Sequence, residues 1–146
     1  MKAKDLMTPN PKTCAPNHDL LCALRIMKEE DCGIVPIIEG NGDARVVGVV
    51  TDRDIALFLG FKDAKPSEVR IREVMSTNVV SASPEDDLRD VTRKMEEAQV
   101  RRVLVVEDGR LRGVISTADV ARASSRSGKE NLEKEVGRVM EKVSEP

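Results

Sequence analysis

The chain has 146 residues, of which 40% are hydrophobic, enough for one globular core or for two small cores packed together. Its 24 lysines and arginines nearly balance 26 aspartates and glutamates, so the net charge of −2 gives no electrostatic field that favours nucleic acid or a membrane, and we expect neither as a partner. Tryptophan and tyrosine are absent, which excludes base stacking on such rings. No apolar run reaches the roughly 20 residues of a membrane span, and no apolar stretch follows the first residues, so we expect no signal peptide and a cytoplasmic protein.

Internal repetition is the strongest pattern in the sequence. Residues 5–8 read Asp-Leu-Met-Thr, and 68 positions later residues 73–76 read Glu-Val-Met-Ser. Thr-Cys-Ala-Pro at 13–16 matches Ser-Ala-Ser-Pro at 81–84 with the same offset. After a loop shortened by three residues, Gly-Val-Val-Thr-Asp-Arg-Asp from position 48 matches Gly-Val-Ile-Ser-Thr-Ala-Asp from position 113. Ordered matches of this extent indicate two copies of one structural unit.

Each copy carries the same order of predicted elements. Apolar residues at helical spacing predict one amphipathic helix per copy. They are Leu20, Leu24 and Met27 in the first copy and Leu88, Val91 and Met95 in the second. Two β-branched runs follow each helix, at 34–38 and 45–50 and at 103–106 and 111–115, with turn residues between them that predict a β-hairpin. A second helix is predicted to begin at Thr51 and at Ser116, both acceptable N-caps.

The predicted fold class is therefore α/β, with two pseudo-symmetric repeats (strand, helix, strand, strand, helix) packed through their sheets. One repeat exposes a face of a three-stranded sheet and is marginal alone, which is why we expect the two to pack. The predicted domains are repeat 1 at 1–59, a linker at 60–71, repeat 2 at 72–125 and a polar helical tail at 126–146. Leu132, Val136, Val139 and Val143 give this tail a weakly amphipathic pattern.

Three cysteines and one histidine are the only soft metal ligands besides methionine. Cys14, Cys22 and Cys32 are odd in number and share no C-x-x-C spacing, and three scattered thiols with one distant imidazole, that of His18, do not fit a usual four-ligand zinc site. We interpret the cysteines as small buried hydrophobes in a reducing compartment and His18 as a solvated surface residue. Redox sensing or metal binding is the alternative, and no metal ligand is assigned.

The recurring polar motif lies where a buried strand runs into a helix. Thr51 and Asp54 in the first copy, and Ser116 and Asp119 in the second, place a hydroxyl and a carboxylate in the first helical turn. Free N–H groups there favour a phosphate, and a short carboxylate can accept from two ribose hydroxyls. The alternative is a capping box, in which glutamate or glutamine is the usual partner, so aspartate favours a ligand. No P-loop, nucleophile elbow or G-x-G-x-x-G occurs, so no enzymatic reaction is predicted.

These motifs resemble those of CBS (cystathionine-β-synthase) domains, whose pattern has a D-h-M-T start, Thr-x-x-Pro before the first helix, an h-P-V-h strand and a final G-h-h-[ST]-x-x-D. The resemblance covers residues 5–59 and 73–124. It implies a Bateman-type regulatory module without a cofactor that binds AMP, ADP or ATP, or less often S-adenosylmethionine or NADH. It also implies a homodimer and a regulated target protein. The alternative is a dimeric interaction scaffold with vestigial clefts.

The resemblance further implies two clefts between the repeats, each drawing on both copies. The first would be formed by Thr51, Arg53 and Asp54 with Ser81, Arg101, Arg102 and Val103. The second would be formed by Ser116, Ala118 and Asp119 with Thr8, Thr13, Gly33, Ile34 and Pro36. Arginine forks suit phosphate, although an exposed, solvated arginine pair is the alternative for Arg101 and Arg102. Ala118 stands where the first copy has Arg53, so the first cleft is predicted to hold a phosphorylated nucleotide more tightly.

Overall fold

A computed structural model describes residues 1–42, 44–127 and 130–144. Asp43 of the predicted first hairpin turn and the side chain of Leu132 in the predicted tail lie outside the described residues. In chain order the elements are α1 (Ala3–Leu6), β1 (Thr8–Pro9), α2 (Leu20–Glu30), β2 (Ile34–Glu39), β3 (Arg45–Thr51), α3 (Asp52–Lys62), β4 (Ser81–Ala82), α4 (Leu88–Ala98), β5 (Arg102–Glu107), β6 (Arg110–Ser116), α5 (Thr117–Ser127) and α6 (Glu130–Ser144). The α/β prediction and the two helices and hairpin of each copy are confirmed.

The chain divides into two compact units. The first-repeat unit comprises residues 11–79, and the second-repeat unit comprises residues 1–10 together with 80–146. The ten N-terminal residues, which open the first copy in the sequence, thus belong to the unit built around the second copy. The predicted repeat boundaries divide the chain by sequence similarity and remain predictions, whereas the compact units divide it by contacts.

In the first-repeat unit, β2 and β3 form an antiparallel hairpin with a register irregularity between Ile37 and Ile38. Helix α2 begins after Asp19, whose Oδ1 accepts the backbone N–H of Cys22 at 3.3 Å, the expected N-cap bond. The apolar face of α2 and the inward side chains of the hairpin form one core. Its buried members are Cys14, Leu20, Ala23, Met27, Val35, Ile37, Val50, Ile55, Val69 and Ile71.

The second-repeat unit contains a four-stranded sheet in the order β1-β6-β5-β4, one strand more than predicted. Strands β5 and β6 form the antiparallel hairpin, β4 pairs in parallel with β5, and β1 pairs antiparallel with β6. Helix α6 belongs to the same core, because Val136 and Val139 are buried among its residues. The tail predicted from the sequence is therefore a packed helix of this unit.

A short segment at the start of each copy pairs with the sheet of the other copy. In the second-repeat unit Thr8 lies opposite Val114, and in the first-repeat unit Val49 and Ser76 exchange two backbone hydrogen bonds of 2.9 and 2.8 Å. Glycine is required at both contacts. A Cβ at Gly113 would lie 2.7 Å from the carbonyl oxygen of Thr8, and a Cβ at Gly48 would lie 2.7 Å from that of Ser76. The motif glycines therefore allow close approach of the added segment.

The predicted linker is ordered. Helix α3 continues to Lys62, short 3₁₀ turns span Pro66–Glu68 and Ile71–Glu73, and Val69 and Ile71 are buried in the core of the first-repeat unit. These residues hold the end of the first copy against its own core. Among the described residues, no helix combines the length and the apolar composition that crossing a bilayer requires.

Candidate functional site

The first strand-to-helix junction, residues 51–54, is a closed capping box. Thr51 ends β3 and caps α3, and its Oγ1 accepts the backbone N–H of Asp54 at 3.1 Å. In return, Oδ2 of Asp54 accepts the backbone N–H of Thr51 at 3.2 Å. The capping box, the alternative to a ligand site in the sequence, therefore forms with aspartate as its return partner, and a ligand at Asp54 stays a prediction. The box uses only one oxygen of the carboxylate.

The second junction, residues 116–119, has the same box with additional bonds. Oδ2 of Asp119 accepts the backbone N–H of Ser116 at 2.8 Å and its hydroxyl at 3.0 Å, and Oγ of Ser116 accepts the N–H of Asp119 at 3.2 Å. The other oxygen, Oδ1, pairs with the guanidinium of Arg122 one turn further along α5. Both oxygens of Asp119 therefore have partners inside their own unit.

The two carboxylates differ in what they can still accept. Within the part of the chain that the structure describes, Oδ1 of Asp54 has no hydrogen-bond partner, and Asp54 is only partly buried. A carboxylate oxygen has two lone pairs, so Asp54 can accept two further donors while its box stays intact. Arg122 was not identified from the sequence. The signal that could have identified it is a basic residue three positions after Asp119, the spacing of a helical ion pair. Three positions after Asp54, the first copy has Leu57 instead.

The three predicted phosphate-binding arginines lie beside the two junctions. Arg53 is exposed in the first turn of α3. Arg101 and Arg102 lie beside the second junction, since Arg102 is opposite Ser116 and the carbonyl of Arg101 accepts the N–H of Thr117 at 2.9 Å. None of the three forms an ion pair with another described residue. These are cationic groups that an anion could approach without breaking an existing pair.

The other predicted binding residues divide between the units. Thr13, Gly33, Ile34 and Pro36 belong to the first-repeat unit, and Thr8, Ser81, Val103, Ser116, Ala118 and Asp119 to the second. Ile34 lies opposite Thr51, and the N–H of Asp52 donates to the carbonyl of Gly33 at 3.1 Å, so backbone contacts join residues of one copy. Pro36 and Val103 are buried. The grouping of residues across the copies remains a prediction.

The cysteines only partly match the expectation of buried hydrophobes. Cys14 is 2% exposed, and this burial, with a smaller effect of the neighbouring Cys22 thiol, raises the pKa of the Cys14 thiol. Cys22 and Cys32 are half-buried. His18 is exposed as predicted, but its Nδ1 lies 3.4 Å from Sγ of Cys22, so the view of a distant imidazole is wrong. The signal that could have indicated this contact is the four-residue spacing of positions 14, 18 and 22.

Two copies of a strand, helix, hairpin and helix, each with a hydroxyl–carboxylate junction where the hairpin meets the last helix, define a class of tandem α/β repeat proteins. The family model described as "CBS domain" matches residues 3–60 and 71–126. The chain belongs to the CBS-domain family, and the resemblance found in the sequence is confirmed.

Relatives and solved structures agree with this assignment. The CBS domain-containing protein YhcV of Bacillus subtilis is 34% identical over 118 residues, which span 81% of both chains. The crystal structure of CBSX2 in complex with AMP has a TM-score of 0.74 at 28% identity, covering 88% of this chain and 98% of that one. The CBS domain pair of MJ0100, in complex with 5′-methylthioadenosine and S-adenosyl-L-methionine, has a TM-score of 0.76 at 26% identity, covering 87% and 98%.

Proposed function

We propose that this protein is a regulatory module that binds an adenosine-containing nucleotide, AMP, ADP or ATP, with the first junction as its tighter site. The observation that carries the proposal is the unshared Oδ1 of Asp54 in the same helical turn as Arg53, whose guanidinium forms no ion pair with another described residue. A structural capping box needs one carboxylate oxygen. The second oxygen and the arginine are therefore available to a ligand.

The chemistry of the junction fits a ribose phosphate. Oδ1 of Asp54 can accept from the 2′- and 3′-hydroxyls of a ribose, which donate as a vicinal pair. The N-terminus of α3 carries backbone N–H groups and a positive dipole end that favour a phosphate, and Arg53 adds a planar fork of donors. The aliphatic side chain of Ile34, half-exposed opposite Thr51, offers an apolar surface to a base.

The adenosine class of ligand is supported by the neighbours. One of them holds AMP, and another holds two adenosine derivatives without a phosphate, 5′-methylthioadenosine and S-adenosyl-L-methionine. Adenosine is the part that these ligands share. For this chain the unpaired arginines favour a phosphorylated member, because charge-assisted hydrogen bonds to phosphate are roughly twice as strong as neutral ones.

A ligand that binds two conformations of the module with different affinities shifts the equilibrium between them. Regulation would then act on a partner that responds to this change in conformation. We propose a symmetric homodimer as the sensing unit and a separate target protein that reads its state. Leu57 and Phe61 support an association surface, since they lie one turn apart on α3 and are 48% and 88% exposed. Light scattering at micromolar concentration should return twice the mass of the chain; a monomer contradicts the dimer.

Calorimetric titration with AMP, ATP, S-adenosylmethionine and adenosine tests the ligand. Asp54→Asn keeps an oxygen for the capping box and removes the charge, so AMP affinity should fall about tenfold, the loss of one charge-assisted bond. Asp90→Asn is the matched control, because Asp90 closes the equivalent box of α4 with Asp87 at 3.3 Å. If the wild-type chain binds none of the four ligands, it is an interaction scaffold. If both variants weaken binding equally, Asp54 acts only as a cap.

A further inference from the structure

A cluster of two cysteines and one histidine lies in the first-repeat unit, and none of its three residues belongs to a junction. One ligand atom from each of Cys14, His18 and Cys22 lies within 4.8 Å of the other two, and Sγ of Cys22 is 3.4 Å from Nδ1 of His18. We propose that this Cys-His cluster binds a thiophilic divalent cation of the zinc class through three protein ligands.

Backbone hydrogen bonds and a helix fix the positions of the three ligand residues. Cys14 is fixed to β2, because its N–H donates to the carbonyl of Pro36 at 3.2 Å and its carbonyl accepts the N–H of Ile38 at 2.9 Å. His18 closes a turn in which its N–H donates to the carbonyl of Ala15 at 3.1 Å. Cys22 lies in the first turn of α2. Ligands on a strand bridge, a tight turn and a helix have little freedom to separate.

The spacing of the ligand atoms suits a tetrahedral ion. With metal–sulfur distances of about 2.3 Å and metal–nitrogen distances of about 2.0 Å, tetrahedral zinc holds its ligand atoms about 3.5–3.8 Å apart. The sulfur–nitrogen distance of 3.4 Å is already close to this value, and the other two pairs, at no more than 4.8 Å, need only small side-chain rotations. The exposed ring of His18 leaves the fourth position open to water.

The donor set selects the metal. Two thiolates and an imidazole suit zinc and similar borderline-soft ions, whereas magnesium and calcium take oxygen ligands. Nδ1 of His18 accepts the N–H of Ala15 at 3.1 Å, so this nitrogen carries a lone pair, as a metal ligand must. On binding, Cys14 and Cys22 each release the S–H proton to solvent. The lone pair of Nδ1 passes from the N–H of Ala15 to the ion.

The second copy shows that closing this turn does not require histidine or cysteine. At the same offset of 68 positions, Asp86 stands for His18, and its Oδ2 accepts the N–H of Ser83 at 3.0 Å, as Nδ1 of His18 accepts that of Ala15. Ala82 fills the buried place of Cys14, with the same 2% exposure. A carboxylate and a methyl group therefore suffice for the fold. The soft ligands of the first copy are an addition that the turn does not need.

Cobalt binding tests the proposal. The full chain, reduced and stripped with a chelator, is titrated with Co²⁺ alone, and Zn²⁺ is then added. We expect a near-ultraviolet sulfur-to-cobalt charge-transfer band that saturates at one ion per chain and disappears on addition of zinc. In Cys22→Ser the band should weaken, and in His18→Ala affinity should fall by more than the ~10–100-fold that loss of an outer-shell partner costs.

Cys32→Ser is the matched control, because Cys32 is equally half-buried and its thiol donates to the carbonyl of Ile34 at 3.5 Å, outside the cluster. It should bind cobalt as the wild type does. His18 is exposed and its ring makes one backbone hydrogen bond at the surface, so His18→Ala should lower the unfolding midpoint only slightly and remain informative if Cys22→Ser does not fold. The proposal is overturned if the reduced wild type shows no band, whether or not a Cys14–Cys22 disulfide forms in air, or if both cluster variants bind as tightly as the control.

Discussion

The two strand-to-helix junctions carry the same motif and the same capping box, yet they offer a ligand different groups. At the first junction, one oxygen of Asp54 stays unshared among the described residues, and Leu57 occupies the position one turn further along α3. At the second, Arg122 occupies that position and takes the free oxygen of Asp119. The motif therefore sets where the carboxylate lies, and a residue outside the motif decides whether it is available.

The largest expected effect concerns the glycine that opens each motif. Gly113→Ala should lower the free energy of unfolding by about 1–3 kcal/mol, the usual cost of overpacking, because the new Cβ would lie 2.7 Å from the carbonyl oxygen of Thr8 and 2.6 Å from Sδ of Met7. Gly48→Ala should cost somewhat less, since its close contact is with the carbonyl of Ser76 alone, and Sδ of Met75 is 3.2 Å away. Urea denaturation followed by circular dichroism measures both.

Gly60→Ala is the control for this comparison. Gly60 lies within α3, and a Cβ there would meet no atom within 4 Å. The helix propensity of alanine should then stabilise the protein by about 0.5–1 kcal/mol. If Gly113→Ala and Gly60→Ala have the same effect, the segment that opens the first copy is not held against Gly113 as closely as described.

A smaller difference is expected between the carboxylates themselves. Asp54→Ala and Asp119→Ala each remove the return bond of a capping box, which costs about 1 kcal/mol. Asp119→Ala should cost more, because it also removes the hydrogen bond of the Ser116 hydroxyl at 3.0 Å and the partner of Arg122. Thermal unfolding of the two variants side by side gives the ranking. Equal losses would mean that the additional bonds of Asp119 contribute nothing measurable.

Converting the second junction to resemble the first tests what limits it. Arg122→Leu places the residue of the first copy, Leu57, at the matching position and leaves Oδ1 of Asp119 unshared. If the first junction binds AMP through Asp54, titration of the variant should show a second binding event. If the second junction already binds AMP weakly, its affinity should rise about tenfold, the contribution of one charge-assisted hydrogen bond. Stability should change little, because Arg122 is exposed and an ion pair at the surface contributes about 0–1 kcal/mol. Unchanged binding would place the difference between junctions elsewhere.

Much of this architecture could be predicted because its helices and strands have periodic patterns of apolar residues in the sequence. The stripes of α2 and α4 and the β-branched runs of the two hairpins repeat at the spacing of their elements, and the repeat doubles each signal. The pairing of Thr8 with Val114 could not be predicted, since a strand of two residues has no periodicity and its partner is far along the chain. Glycine at positions 48 and 113 was identified as part of the motif, but its cause lies in that pairing.

The residues of the site could be predicted from the sequence, but the contacts between their side chains could not. Thr51, Asp54, Ser116 and Asp119 were identified, and all four form the junctions. The pairing of Asp119 with Arg122 depends on a rotamer, which sequence spacing permits but does not determine. The approach of His18 to Cys22 depends on the turn that His18 closes with Ala15, and no pattern of apolar residues reports such a turn.

The smallest effect compares how each unit holds the turn before its first long helix. In the second-repeat unit, Glu85 pairs with Lys2 and, at 2.8 Å, with Lys4, and the hydrogen bonds from Lys2 and then Lys4 lower the pKa of Glu85 to about 2. In the first-repeat unit, Arg70 at the position of Lys2 donates instead to the carbonyl of Asn17 at 3.0 Å, which does not titrate. At this position, therefore, the second-repeat unit has an ion pair that depends on pH, and the first-repeat unit has a contact that does not titrate.

The sign of the effect follows from the lowered pKa. A carboxylate whose pKa falls on folding stabilises the folded state above its unfolded value of 4.5, and this contribution is lost as the pH falls from there towards 2. Glu85→Gln should thus slightly lower the unfolding midpoint at pH 7 and have no effect near pH 2, with the difference at pH 7 fading in 1 M salt because the pair is exposed. Glu97→Gln, an exposed glutamate without an ion pair among the described residues, should show neither dependence. A Glu85→Gln effect that persists at low pH or high salt would mean that Glu85 acts through packing or hydrogen bonding and that charge is not its contribution.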